Sequence, residues 1–196
     1  MLIFLAKQNV DFYVSACNSI STLDTKQLLE ELGIGKDSYF DMKDFAECAK
    51  KSIPHDATLL IYGTVATIQS EVYQKVFSLW NTFSFASKHL AFAVESEDKK
   101  IIIEEIQELL TFAQEKKVTH IFLVCTHYPL IQKIFDTYFS ETLITFINPA
   151  EYIPEALLSQ KGEVYSVSIF TTKIGETIQK YAQPFLGDDE VLLVSL

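Results

Sequence analysis

The sequence predicts an α/β protein with mostly parallel sheets, built as two similar halves. Short apolar runs of strand length alternate with longer amphipathic segments, the pattern that carries helices across a parallel sheet. One stretch also echoes another. Phe4-Leu-Ala-Lys-Gln-Asn-Val10, then a short strand and Cys17-Asn18-Ser19, corresponds to Phe112-Ala-Gln-Glu-Lys-Lys-Val118, then a short strand and Cys125-Thr126-His127. Phe4 and Phe112, Val10 and Val118, and Cys17 and Cys125 are each 108 residues apart. In both copies a helix end and a buried strand lead to a cysteine at the strand's C-terminal tip, where α/β folds keep their ligand sites.

Taken in order, the expected strands are Phe12–Ala16, Thr58–Tyr62, His89–Val94, His120–Val124, Leu143–Ile147, Val164–Phe170 and Val191–Val194. Helices are expected between them. Leu23–Leu32 stops at Gly33, a residue suited to a helix C-terminus. Met42–Lys51 follows Asp41, a good N-cap, and ends before Pro54. Ala66–Trp80 carries Val72, Val76 and Trp80 on one face, and Asp98–Lys117 carries Ile102, Ile106, Leu109, Leu110 and Ala113. Pro129–Phe139 opens with proline in its first turn, and a last helix near Gly175–Phe185 ends around Pro184. Segments 1–53 and 150–196 are expected to form the first domain and 54–149 the second.

Composition narrows the function. With 196 residues, 48% apolar and 21% charged, the chain is long enough to bury a sizeable core. Lys+Arg 16 against Asp+Glu 26 leaves a net charge of −10, which argues against nucleic-acid and anionic-membrane surfaces. No apolar run approaches the roughly 18–20 residues that span a bilayer. Three cysteines do not make a disulfide framework, so a reducing cytoplasm is the expected location. His55, His89 and His120 form no ligand spacing with Cys or Asp/Glu, and no metal site is expected.

A thiol at a strand tip facing the N-terminus of the next helix sits among unpaired N–H groups, a field that favours thiolate. Two such thiols across a cleft suit proton transfer at a carbon next to a carboxylate. One, as thiolate, removes the proton, and the other, as thiol, returns one to the opposite face, so the pair titrates as a unit. The plain alternative is a pair of buried core cysteines. Cys48, beside Phe45 and Ala49 in an amphipathic helix, reads as structural. A cysteine hydrolase is a further class, but adjacency in sequence is expected to point His127 away from Cys125.

The flanking residues carry a resemblance. Ala16-Cys17-Asn18-Ser19-Ile20-Ser21 resembles the Ala-Cys-Asn-Thr-Ala-Ser segment around the first catalytic cysteine of glutamate racemases. Leu123-Val124-Cys125-Thr126-His127-Tyr128-Pro129-Leu130 resembles the Gly-Cys-Thr-His-Tyr-Pro-Leu segment around their second. Tyr62-Gly63-Thr64-Val65-Ala66-Thr67-Ile68, with Ser70 and Tyr73, is similar to their Gly-Thr-Pro-Ala-Thr segment, and Phe146–Ala150 and Phe170-Thr171-Thr172 extend the likeness. The resemblance implies the aspartate/glutamate racemase superfamily: cofactor-independent enzymes of two pseudo-symmetric, doubly wound parallel-sheet domains with the active site in the cleft between them.

By that resemblance Cys17 and Cys125 are the acid/base thiols, and His127 tunes Cys125 or assists the substrate ammonium. Asn18, Ser19, Thr64, Thr67 and Thr126 contact the substrate, glutamate, and Glu95 is a possible auxiliary. The family's early Asp-Ser-Gly and Pro-Tyr-Gly segments have no counterpart, so the first domain is expected to lack its N-terminal strand and expose an apolar sheet edge. Homodimerisation, strand swapping or a separate partner would cover that edge. Two functions follow as expectations: racemisation of glutamate for peptidoglycan precursors, or a truncated, non-catalytic relative that binds an acidic metabolite or a protein.

Overall fold

The computed structural model describes residues 2–7, 10–158, 169–171 and 191–193. The chain divides into two compact units, Met1–Val10 with Leu158–Leu196, and Asp11–Leu157. In the first, helix α1 (Leu2–Ala6) and the parallel strand pair β7 (Ile169–Thr171) and β8 (Val191–Leu193) are described. The helix expected near Gly175–Phe185 lies outside the described residues, as does most of the strand expected at Val164–Phe170.

The Asp11–Leu157 unit contains two parallel sheets. The smaller pairs β1 (Tyr13–Ser15) with β2 (Tyr39–Asp41), with α2 (Lys26–Glu31) between them in the chain. Among the described residues β1 pairs with β2 alone, and Val14 on it is exposed. At the tip of β2, Asp41 starts α3 (Met42–Ala49) through a capping box, its carboxylate accepting from the Lys43 N–H and its own N–H donating to Asp44.

The larger sheet has the order β4-β3-β5-β6, all parallel: β3 (Thr58–Thr64), β4 (Asn81–Ser87), β5 (His120–Val124) and β6 (Thr145–Ile147). The two-residue period of a strand divides its side chains between two cores. Leu60, Tyr62, Ile121 and Leu123 pack on one face with helices α6 (Leu90–Glu95), α7 (Lys99–Glu115) and α8 (Gln132–Tyr138). Leu59, Ile61, Phe122 and Val124 pack on the other with α3 and with α5 (Val72–Val76). β3 is therefore buried on both sides, as a doubly wound fold requires. Gly63 permits its contact with β5, because a Cβ there would lie 2.5 Å from Val124 Cγ2.

Two expected elements are corrected. His89–Val94 is a helix, α6, and the strand lies earlier, at β4. An unbroken apolar run does not distinguish buried strand from buried helix, and here the Ser87 hydroxyl accepts from the Leu90 N–H as the chain enters α6. The single helix expected over Ala66–Trp80 is broken into α4 (Val65–Gln69) and α5, because Glu71 takes φ 57°. The buried stripe there is Tyr73, Phe77 and Trp80.

Candidate active site

Both strand-tip cysteines fall in the Asp11–Leu157 unit. Cys17 leaves β1 into a 3-10 turn, Ile20–Thr22, and is half-buried. Its carbonyl accepts from the Ser21 N–H and the Ser21 hydroxyl, both at 3.0 Å. The Met42 N–H donates to that same hydroxyl at 3.0 Å, so the first turn of α3 braces the Cys17 segment. Cys125 follows β5 directly and is 7% exposed. Burial pushes its thiol up to about 11; the N–H groups of His127 and Tyr128 oppose this, and the charges of Cys17 and Glu95 add to it. The depressed pKa expected from a helix N-terminus does not prevail at Cys125, where desolvation outweighs two N–H groups of a short turn.

His127 faces Cys125, contrary to the expectation from adjacency. The chain turns as it leaves β5, with the Tyr128 N–H donating to the Cys125 carbonyl at 3.1 Å, which places positions 125 and 127 on one side. His127 Nδ1 lies 3.8 Å from Cys125 Sγ, and its Nε2 lies 2.7 Å from Glu95 Oε1. Glu95 reaches it from the last residue of α6, not from a strand end.

Three hydroxyls join the Cys17 segment to the tip of β3. Ser19 Oγ lies 2.9 Å from Thr67 Oγ1 and 3.2 Å from Thr64 Oγ1, and the two threonine hydroxyls are 2.9 Å apart. Thr64 also caps α4, accepting from the Thr67 N–H at 3.3 Å. Thr126 is half-buried in the turn after Cys125 and joins none of these groups among the described residues.

Tyr73 and Ser21 extend the set beyond the residues the sequence nominated. The Tyr73 hydroxyl donates to Asn18 Oδ1 at 2.6 Å. Both stand inside the resembling motifs, and that is the signal that marks them. Among the described residues no group of three or more His, Cys, Asp or Glu side chains is placed to hold a metal ion, and no helix is long and apolar enough to cross a membrane.

The fold is one of parallel α/β layers, with one thiol following a strand in each of two sheets and an acid–histidine pair against one of them. No family model matches the chain. It is 25% identical over 199 residues to the glutamate racemase of Lactobacillus acidophilus, spanning 95% of this chain and 73% of that protein. A glutamate racemase of Bacillus anthracis superposes with a TM-score of 0.78 at 24% identity, covering 100% of this chain and 77% of that one. The glutamate racemase of Francisella tularensis, solved in complex with D-glutamate, also gives 0.78, at 20% identity over 99% and 76%. In sequence and in fold, the chain resembles the glutamate racemases.

Proposed function

We propose that this chain interconverts the enantiomers of glutamate without a cofactor, with Cys17 and Cys125 as the proton-transferring thiols. The observation that carries the reading is the placement of both cysteines just after parallel strands of one compact unit, with His127 Nδ1 3.8 Å from Cys125 Sγ and Glu95 behind it. Cys125, with its pKa near 11, is a neutral thiol at pH 7 and is ready to donate. In that direction Cys17, as thiolate, takes the proton from Cα. The Cα–H electron pair delocalises into the carboxylate, an S–H bond forms at Cys17, and Cys125 then gives its proton to the opposite face. The reverse direction exchanges the roles. Glu95 orients His127, which lies where it can stabilise the thiolate left at Cys125. Asn18, Ser19, Thr64, Thr67 and Thr126 form the substrate side of the site.

The same reading places the product in peptidoglycan precursor synthesis, in the cytoplasm, with no nucleic-acid or membrane partner. It treats 1–53 with 150–196 and 54–149 as the two halves of the fold. The exposed face of β1 at Val14 supports a homodimer.

The test is incubation with L-glutamate in D2O. Deuterium appears at Cα of the D-enantiomer, and Cys17→Ala or Cys125→Ala abolishes its appearance. Absence of exchange and of optical change at millimolar substrate would favour the alternative, a non-catalytic module for an acidic metabolite or a protein.

A further inference from the structure

The two ends of the Asn18 amide are treated unequally. The side chain is 2% exposed. Oδ1 takes the Tyr73 hydroxyl at 2.6 Å, whereas Nδ2 is buried with no hydrogen-bond partner among the described residues. An unpartnered buried donor costs about 1–3 kcal/mol, and a ligand acceptor placed against it would offset that cost. A carboxylate oxygen is such an acceptor. The same amide turned over would present a carbonyl oxygen and repel that ligand.

Tyr73 sets which end is free. The fully buried phenol is kept protonated, its pKa raised by burial first and then by the charge of Asp41, and its O–H is the one donated to Asn18 Oδ1. That bond engages Oδ1 and leaves Nδ2 as the end of the amide still open to an acceptor. The break at Glu71 makes this contact available. In one continuous helix, the six-residue step from Thr67 to Tyr73 would set them roughly 120° apart around the axis. With α4 and α5 separated, Thr67 bonds Ser19 while Tyr73 bonds Asn18.

We propose that Tyr73 is a positioning residue, whose hydroxyl locks the Asn18 amide so that Nδ2 presents its two N–H groups to a substrate carboxylate. The proposal rests on the racemase reading for the identity of that carboxylate as glutamate's, and on the geometry for the rest.

The bond is read first without activity, from the 15N-labelled Asn18 side-chain amide of the ligand-free protein. Tyr73→Phe shifts these resonances, and glutamate shifts them in the wild type. In kinetics Tyr73→Phe raises KM about five- to tenfold and changes kcat by less than about twofold. In an Asn18→Ala background it adds nothing to KM beyond about twofold, as expected when one residue acts through the other. If Tyr73→Phe does not fold, Asn18→Asp reads the same bond: Tyr73 still donates to one oxygen, the second faces the ligand, and binding weakens more than in Asn18→Ala.

Amide resonances indifferent to Tyr73→Phe overturn the proposal. So do KM effects that add in the double variant, Asn18→Asp binding glutamate as well as Asn18→Ala does, or a wild-type amide that responds to no carboxylate. An amide that responds to succinate or aspartate and not to glutamate upholds the proposal and overturns glutamate as the substrate.

Discussion

Glu95 Oε1 lies 2.7 Å from His127 Nε2, and this contact joins the end of α6 to the turn that carries Cys125. The carboxylate is the partner that fixes the imidazole ring, whose other nitrogen faces the sulfur. Glu95→Gln retains an acceptor and loses the charge, whereas Glu95→Ala loses both. We expect Glu95→Ala to lower kcat about 100-fold, the lower end for an acid/base partner, and Glu95→Gln to lower it less. KM changes little in either, because Glu95 acts through His127. Initial rates in both directions check this.

Burial of Cys125 has a consequence for stability. Its folded pKa, about 11, stands above the ordinary thiol value near 9. The unfolded chain therefore loses this proton first as pH rises. Stability is full below about pH 9 and falls through about pH 11, by about 2–3 kcal/mol. Urea unfolding of wild type and Cys125→Ala between pH 8 and 11.5 isolates this contribution, since the variant lacks it. Iodoacetamide follows the same order: at pH 7.5 the half-buried Cys17 and Cys48 react before Cys125.

Gly63→Ala is expected to destabilise the protein by about 1–3 kcal/mol. The added methyl meets Val124 Cγ2 at 2.5 Å and the Val124 carbonyl at 3.0 Å, so β3 and β5 must part. Val124 immediately precedes Cys125, so kcat falls with the melting temperature. Adding Val124→Ala removes the nearer contact and recovers part of both, which paired thermal melts and rate measurements reveal.

The hydroxyl triad yields a separate outcome. Thr67→Val preserves shape and deletes a buried hydroxyl bonded to Ser19 and Thr64. A loss of about 1–2 kcal/mol in stability should accompany a rise in KM for glutamate. Ser21→Ala behaves differently. It leaves the buried Met42 N–H without its hydroxyl acceptor and loosens the Cys17 carbonyl, so kcat falls more than KM rises.

Much of this fold was legible where local chemistry and burial agree. His120–Val124 is a strand because it is an apolar run buried in a central position, and Asp41 caps α3 because a carboxylate fits free N–H groups. Legibility failed where two periods compete. Leu90-Ala-Phe-Ala-Val94 suits either state, and β4 hid behind its polarity: Thr82, Phe83, Ser84 and Phe85 alternate, but all are only partly buried at the sheet edge. Both cysteines and Glu95 were marked by sequence. The long-range bonds Asn18–Tyr73 and Ser19–Thr67 span 55 and 48 residues, and no local pattern encodes them. Nor does the sequence show that desolvation outweighs the turn's N–H groups at Cys125.

The double burial of β3 makes that strand a ruler. Sliding it by one residue would exchange Leu60 and Tyr62 for Leu59 and Ile61, mismatching both cores at once. Its last residue, Thr64, grips Ser19, while its neighbour β5 delivers Cys125. The alternation that keeps the interior dry thus also fixes the height at which Thr64 meets Ser19 and at which the chain leaves β5 for Cys125.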